Sequence, residues 1–367
     1  MSNCRRIVRC ALGTFILLVT EFSFSSYELE EIAGGLNNPW SVAQLPNGDF
    51  LVTEKPGKLL KISDNGKIEK ILGTPKPFYR SQGGFFDVLP HPDFENNDLI
   101  FLSFAEGDHE ANRTTVISAR LSGLELANIQ TILRVRPDKD TPAHYGGRLL
   151  FLPDGTLLVT TGDGFEYREA SQDIKSELGK VLHIEVDGTT PADNPFSGAE
   201  SAKIWTYGHR NPQGLALQKE EGLVFLHEHG PKGGDEINIL NPGANFGWPA
   251  ITFGVNYSGA IISPYTEAPG MEQPIHYWVP SIAPSGMAFY YGEQFPAWHG
   301  DLFIGALVDK EVRRLSLDGT KIINEESVFG EVEQRVRDVR VFQDGYIYLL
   351  TESDDEGKLI RVRPKSP

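Results

Sequence analysis

The chain has 367 residues, a formal charge of −16, 40% hydrophobic side chains, 38 glycines and 24 prolines. That is enough apolar material for a large core, with more turn residues than a helical protein uses, and the length allows two domains or one large β-architecture. The acidity argues against nucleic acid or anionic lipid as a partner and is compatible with divalent cations and neutral small molecules.

Residues 1–26 read as a secretory signal. Arg5, Arg6 and Arg9 make a positive start, Ala11 to Val19 an apolar stretch too short to span a membrane, and Ser23, Ser25 and Ser26 a small polar end. The A-x-A cleavage pattern is missing, which leaves an uncleaved anchor as the alternative. Cys4 and Cys10 both fall in this segment, so residues 27–367 would have neither disulfide nor thiol chemistry. The expectation is an exported chain, periplasmic or secreted, with a formal charge of −18 and no membrane span.

From residue 40 onward one pattern recurs six times: an apolar strand, a turn, a second apolar strand, and a third strand after a further turn. The copies begin at Trp40–Leu45, Phe85–Pro90, Leu149–Leu152, Gly214–Leu217, Gly286–Tyr290 and Val339–Phe342. Their second strands are Phe50–Glu54, Leu99–Phe104, Leu157–Thr161, Val224–Glu228, Leu302–Ala306 and Tyr346–Thr351. Six such units, with no convincing amphipathic helix between them, predict an all-β six-bladed propeller with four-stranded antiparallel blades over residues 27–367. A pair of β-sandwiches fits less well, because all six copies share one internal order. Asp187 to Lys203 and Gly243 to Pro280 read as long insertions, and long loops on a rigid β-scaffold commonly carry function.

The third copy holds a first candidate for chemistry. Pro153-Asp154-Gly155 is a hairpin signal, and pairing its two strands brings His144 and Asp163 to one end of the sheet. A histidine beside a carboxylate can be a general base held in one tautomer; the alternative is two ordinary turn residues. Three further polar segments, Ser81 to Gly84, Gly208 to Gly214 and Arg335 to Asp338, also enter first strands. Symmetry would gather Gln82, His144, Arg210, Asn211, Arg335 and Arg337 at one mouth of the channel. Three arginines there suit a ligand rich in carboxylate or phosphate, unless they bridge blades. His227-Glu228-His229-Gly230-Pro231-Lys232-Gly233-Gly234-Asp235-Glu236 is a second dense cluster. Two histidines at i, i+2 could bind a transition metal, but the Gly/Pro turn and carboxylates suit Ca²⁺ better, without the spacing of an EF-hand loop. Asn241 to Pro249 reads as a structural loop.

Taken in order, SQGGFFDV (81–88), HYGGRL (144–149), LPDGTLLVTTGDG (152–164), GHRNPQG (208–214), EHGPKGGDE (228–236), NFGWP (245–249), APSGM (283–287) and RVRDV (335–339) resemble the soluble-type aldose sugar dehydrogenases that depend on pyrroloquinoline quinone (PQQ), the glucose/sorbosone dehydrogenases. The resemblance runs from about Leu36 to the C-terminus. It implies a six-bladed propeller with PQQ at the channel mouth, oxidising an aldose at its anomeric hydroxyl. His144 would take the hydroxyl proton, a hydride would pass to PQQ, and Asp163 would orient His144. Gln82 would contact cofactor and substrate, Arg210 and Asn211 the quinone oxygens, and Arg335 and Arg337 the PQQ carboxylates. Gly230 and Pro231 would give carbonyls to a Ca²⁺ on PQQ, and Glu236 with the Phe246 carbonyl would hold a second, structural Ca²⁺.

The chain departs from that pattern in places. Better-known members carry a PQQ-pairing lysine after the leucine of the fifth-blade GxL segment; here Gly305-Ala306-Leu307 is followed by Val308, which leaves Lys310, two residues on, as the expected cofactor contact. Ala143 stands where some glucose-oxidising members have a sugar-binding acid. The chain has no C-x-x-C-H haem motif, so electrons would leave to a separate acceptor, and either a monomer or a homodimer is compatible. The alternatives are a calcium-dependent lactonase-type hydrolase on the same fold, which has no need of three arginines, and a non-catalytic glycan- or protein-binding propeller.

Overall fold

Strand Phe50–Glu54 is buried at every position, which a strand achieves only when both faces of its sheet are covered. Its alternation serves two neighbours at once. Phe50 and Val52 enter one apolar core with Tyr348 and Leu350, while Leu51 enters another with Phe85 and Ile100. The same division repeats around the molecule.

The computed structural model describes residues 27–365; the expected signal segment and the two cysteines lie outside the described residues. Six four-stranded antiparallel sheets follow in chain order. The innermost strands are Pro39–Gln44, Phe85–Pro90, Leu149–Phe151, Pro212–Gln218, Pro284–Phe289 and Arg335–Val341. Among the described residues the α-helix is limited to Phe94–Asn97. The expected six-bladed propeller is the fold found.

The outermost strands were not legible as strands in the sequence. Ile68–Ile71, Glu125–Arg134, Ile204–Tyr207, His276–Trp278 and Lys321–Val328 complete blades one to five. The segment Gly243 to Pro280, expected to be wholly insertion, therefore contains the outer strand of blade four. Blade six takes its outer strand from the other end of the chain: Tyr27–Leu36 pairs antiparallel with Gly357–Pro364. That pairing closes the ring with backbone hydrogen bonds.

A repeated polar device joins the blades near the channel. In blades one to three a residue at the same register of the second strand donates to the innermost strand of the next blade or the residues leading into it: Thr53 Oγ1 to the Phe86 carbonyl at 2.6 Å, Ser103 Oγ to Gly147 at 2.6 Å, and Thr160 Oγ1 to Pro212 at 2.9 Å. In blade four this position is His227, whose Nε2 donates to the Ser285 carbonyl. His227 is thus a blade-joining residue, and burial pushes its imidazole down to about 3. Blade five has Gly305 there, and Ser285 Oγ makes the bond to Val336 instead, at 2.6 Å.

Four charged side chains fill the channel behind this ring. Arg148 Nη1 lies 3.4 Å from Asp87 Oδ1 and 3.3 Å from Asp338 Oδ1. Arg340 reaches the same two carboxylates at 2.9 Å each. Arg148 Nε donates to the Gln213 carbonyl, its guanidinium lies over Trp40, and Asp338 accepts from the Val42 amide. Breaking a buried pair leaves a charge without its partner, so Arg148→Met is expected to destabilise the fold by about 3–5 kcal/mol. Urea unfolding of the variant checks this; a midpoint equal to that of the parent would show that the quartet contributes nothing.

Candidate active site

The two inner strands of blade three, Leu149–Phe151 and Leu157–Thr160, pair antiparallel, so the segments that flank them bring His144 and Asp163 to the same end of the channel, as the hairpin register required. His144 Nδ1 donates to Asp163 Oδ1 at 2.6 Å, and both side chains are buried. His144 has φ of 51°, and a Cβ at Gly162 would collide with its carbonyl. Only glycine lets the two loops approach this closely. The His144 amide donates to Gln82 Oε1 at 2.8 Å, and Asn211 Oδ1 accepts from the Gly146 amide at 3.2 Å. Gln82 and Asn211 therefore fix the backbone on which the histidine sits.

Asp163 is over-determined. Besides His144 it accepts from the Phe165 amide at 2.7 Å and from Trp248 Nε1 at 2.8 Å. Burial alone would push its carboxyl up, but the His144 bond, the Arg210 charge and the Phe165 amide hold it below the ordinary carboxylate range. Burial pushes His144 down, Asp163 pulls it partly back, and Arg210 and Lys139 push it down again. The result is an ionised carboxylate holding a neutral imidazole by Nδ1–H, with Nε2 left as the basic nitrogen. Trp248 was missed in the sequence because its loop, Asn241 to Pro249, has ordinary turn chemistry. Lys139 was missed too. It is buried behind the dyad, donates to Asn112 Oδ1 at 2.9 Å and to the Thr141 carbonyl, and is pushed down to about 7 by burial.

Arg210 and Gly230 meet. Arg210 Nη1 donates to the His229 carbonyl at 2.9 Å and the Gly230 carbonyl at 2.6 Å, with the guanidinium also facing the Trp248 and Tyr257 rings. Next to it is a small cavity lined by Glu228, Gly230, Glu236, Phe246 and Trp248. Burial and the nearby Glu228 push Glu236 up to about 8, the behaviour of two carboxylates facing one space. Pro231 is buried in the adjoining turn. Among the described residues no group of three or more His, Cys, Asp or Glu is arranged to hold a metal, so carbonyls would have to supply part of any cation site here. His229 Nε2 is buried without a partner, and burial holds that ring well below the ordinary histidine range.

Arg335 and Arg337 lie on the innermost strand of blade six itself, not in a loop before it. Both reach Glu352 Oε2, at 3.1 and 2.8 Å, and Arg337 Nη1 donates to Gln213 Oε1 at 3.1 Å. Burial would push Glu352 up, but Arg337, Lys55 and Arg335 hold it at about 2. Lys310 is exposed on the Leu307–Lys310 turn of blade five, with φ of 58°.

A buried histidine–carboxylate dyad beside a cation cluster at one channel mouth can accept a proton from a ligand held next to an anion. The profile of the Glucose / Sorbosone dehydrogenase family matches residues 36–361; the chain belongs to that family and is an oxidoreductase. Aldose sugar dehydrogenase YliI of Escherichia coli (strain K12) is 40% identical over 353 residues, spanning 93% of this chain and 94% of that protein. The crystal structure of the soluble aldose sugar dehydrogenase from Escherichia coli in its apo-form aligns with a TM-score of 0.88 at 39% identity, over 92% of this chain and 100% of that one. The PQQ-bound form of an aldose sugar dehydrogenase from Streptomyces coelicolor aligns with a TM-score of 0.75 at 26% identity, over 92% and 98%.

A group whose folded-state value is depressed stabilises the fold above its ordinary range, and that contribution is lost as pH falls through the depressed value. His144 should therefore stay neutral on titration from neutral pH to below 6.5, read by NMR of its ring nitrogens. Asp163→Asn removes the partner that raises it, so the midpoint should fall further. A midpoint at or above 6.5 in the parent protein would contradict the geometry.

Proposed function

We propose that this chain is an exported dehydrogenase that oxidises aldose sugars at the anomeric carbon to the lactone, using PQQ and Ca²⁺ and passing electrons to a separate acceptor. The observation that carries the reading is the 2.6 Å contact of His144 with Asp163 at the same mouth as Arg210, Arg335 and Arg337. A neutral lactone substrate would not require that positive charge.

The residues fit both groups. Arg337 Nε is buried without a partner, and the arginines exceed the single carboxylate they share, so a polycarboxylate anion such as PQQ would be held there by Arg335 and Arg337, with Gln82, Arg210 and Asn211 nearer the dyad. Gly230 and Pro231 would give carbonyls to one Ca²⁺, and the raised value of Glu236 marks a place where a cation would relieve repulsion between carboxylates, with the Phe246 carbonyl as a further ligand. A cation at the Gly230 carbonyl has to share or displace the Arg210 bond. PQQ, when bound, supplies a two-electron acceptor and Ca²⁺ polarises it.

His144 does the proton chemistry. Its Nε2 accepts the proton of the anomeric hydroxyl, and Asp163, fixed by Phe165 and Trp248, stabilises the imidazolium that forms. Arg210, buried beside the dyad, stabilises negative charge that develops as the hydroxyl proton leaves. The signal-like residues 1–26 support export.

Purified protein reconstituted with PQQ and Ca²⁺ should reduce a dye in the presence of aldoses. His144→Ala should lower that rate by about 10²–10⁴-fold, and chelation of the calcium should abolish it. Failure of PQQ to bind would refute the reading and turn the assay to lactone hydrolysis.

A further inference from the structure

The arginines are not the only cations at the channel mouth. Lys55 follows the second strand of blade one, Phe50–Glu54, and its backbone is fixed from both sides. Its amide donates to the Asn38 carbonyl at 3.0 Å and its carbonyl accepts from the Phe85 amide at 3.1 Å. A Cβ at Gly84 would strike that carbonyl, so the glycine keeps the blade-two loop pressed against Lys55. The ammonium donates to the Ser81 carbonyl at 3.2 Å, one residue before Gln82.

A carbonyl satisfies a hydrogen bond but leaves the charge uncompensated. The charges of Arg337 and Arg335 on blade six act on Lys55, together with those of Glu352 and Asp354. Glu352 already bonds both arginines, and Asp354 accepts from Asn38 Nδ2 at 2.5 Å. Burial and Arg337 push the Lys55 ammonium below the ordinary lysine range, against the partial pull of the two carboxylates. A half-buried cation held among cations is a standing cost unless an anion arrives to share it.

We infer that Lys55 is a third cation of the cofactor-carboxylate site, acting with Arg335 and Arg337 on a ligand carrying several carboxylates, while Lys310 takes no part. The inference rests on the function proposed above. Lys55 comes from blade one, Gln82 and Ser81 from blade two, and the arginines from blade six, so the site spans the joint where the chain closes on itself. A lysine suits this place: it has a compact charge on a flexible stem and can turn from the Ser81 carbonyl to an entering anion without moving the backbone.

The test is calorimetric titration of PQQ into apo-protein with Ca²⁺ present, without sugar or dye. Lys55→Met should weaken binding by roughly 30-fold or more, the loss expected when one partner of a part-buried charge pair is truncated. Lys55→Arg should restore it to within a few-fold, and Lys310→Met should leave it unchanged. The apo-forms should unfold at similar urea concentrations, separating lost binding from lost fold; a Lys55→Met chain that does not fold transfers the test to Lys55→Gln. Binding that survives loss of the Lys55 charge, or that falls with Lys310→Met instead, overturns the inference and leaves the proposed function standing. A parent protein that does not bind PQQ overturns both.

Discussion

Two arginines and two aspartates in the middle of the channel hold the ring together. Arg148 comes from blade three, Asp87 from blade two, and Asp338 and Arg340 from blade six. Through Ser41, Val42 and Gln213 the same network reaches blades one and four. Apolar cores lie at each joint between neighbouring blades, but the hydrophobic effect that drives them is non-directional. Opposite charges withdrawn from water tolerate little sliding, because each must meet its partner or remain uncompensated.

That constraint reaches the candidate active site through very short stretches of chain. Arg148 is four residues from His144, with Gly146 and Gly147 between them. Arg337 and Asp338 are neighbours on one strand and alternate in direction, one toward the mouth and one into the channel network. Asp87 lies five residues beyond Gln82. The register that pairs the quartet therefore also sets how far each mouth residue projects. The Ser, Thr and His227 side chains that bond successive inner strands do the same work one layer out. A scaffold fixed in this way can hold a neutral histidine, an ionised carboxylate and several cations close together without collapse onto one another.

Much of this was legible in the sequence where a local signal coincided with a strong period. The hairpin at Pro153-Asp154-Gly155 fixed the register of its strands, and with it the meeting of His144 and Asp163. The inner and middle strands were legible because both their faces are buried, giving uninterrupted apolar runs. The outer strands were not, since Lys321–Val328 and Ile68–Ile71 are largely exposed and carry charge. Trp248 reaches Asp163 across 85 residues of chain, a distance at which no periodicity helps. Lys55 looks like an ordinary turn lysine until blade six is placed beside it. The i, i+2 spacing of His227 and His229 left a transition-metal pair open as the less suitable alternative to Ca²⁺; His227 instead occupies the position used by Thr53, Ser103 and Thr160 and gives its Nε2 to the next blade.

The central claim is that proton removal by His144 accompanies loss of the C1 hydrogen from an aldose. The most direct measurement is the single-turnover rate of cofactor reduction in reconstituted protein, using aldose with hydrogen or deuterium at C1, across pH 5 to 8. The account predicts a primary isotope effect and an acid limb below pH 6.5 that coincides with the His144 titration and is absent in His144→Ala. A rate indifferent to deuterium, or an acid limb that survives the loss of His144, would contradict it.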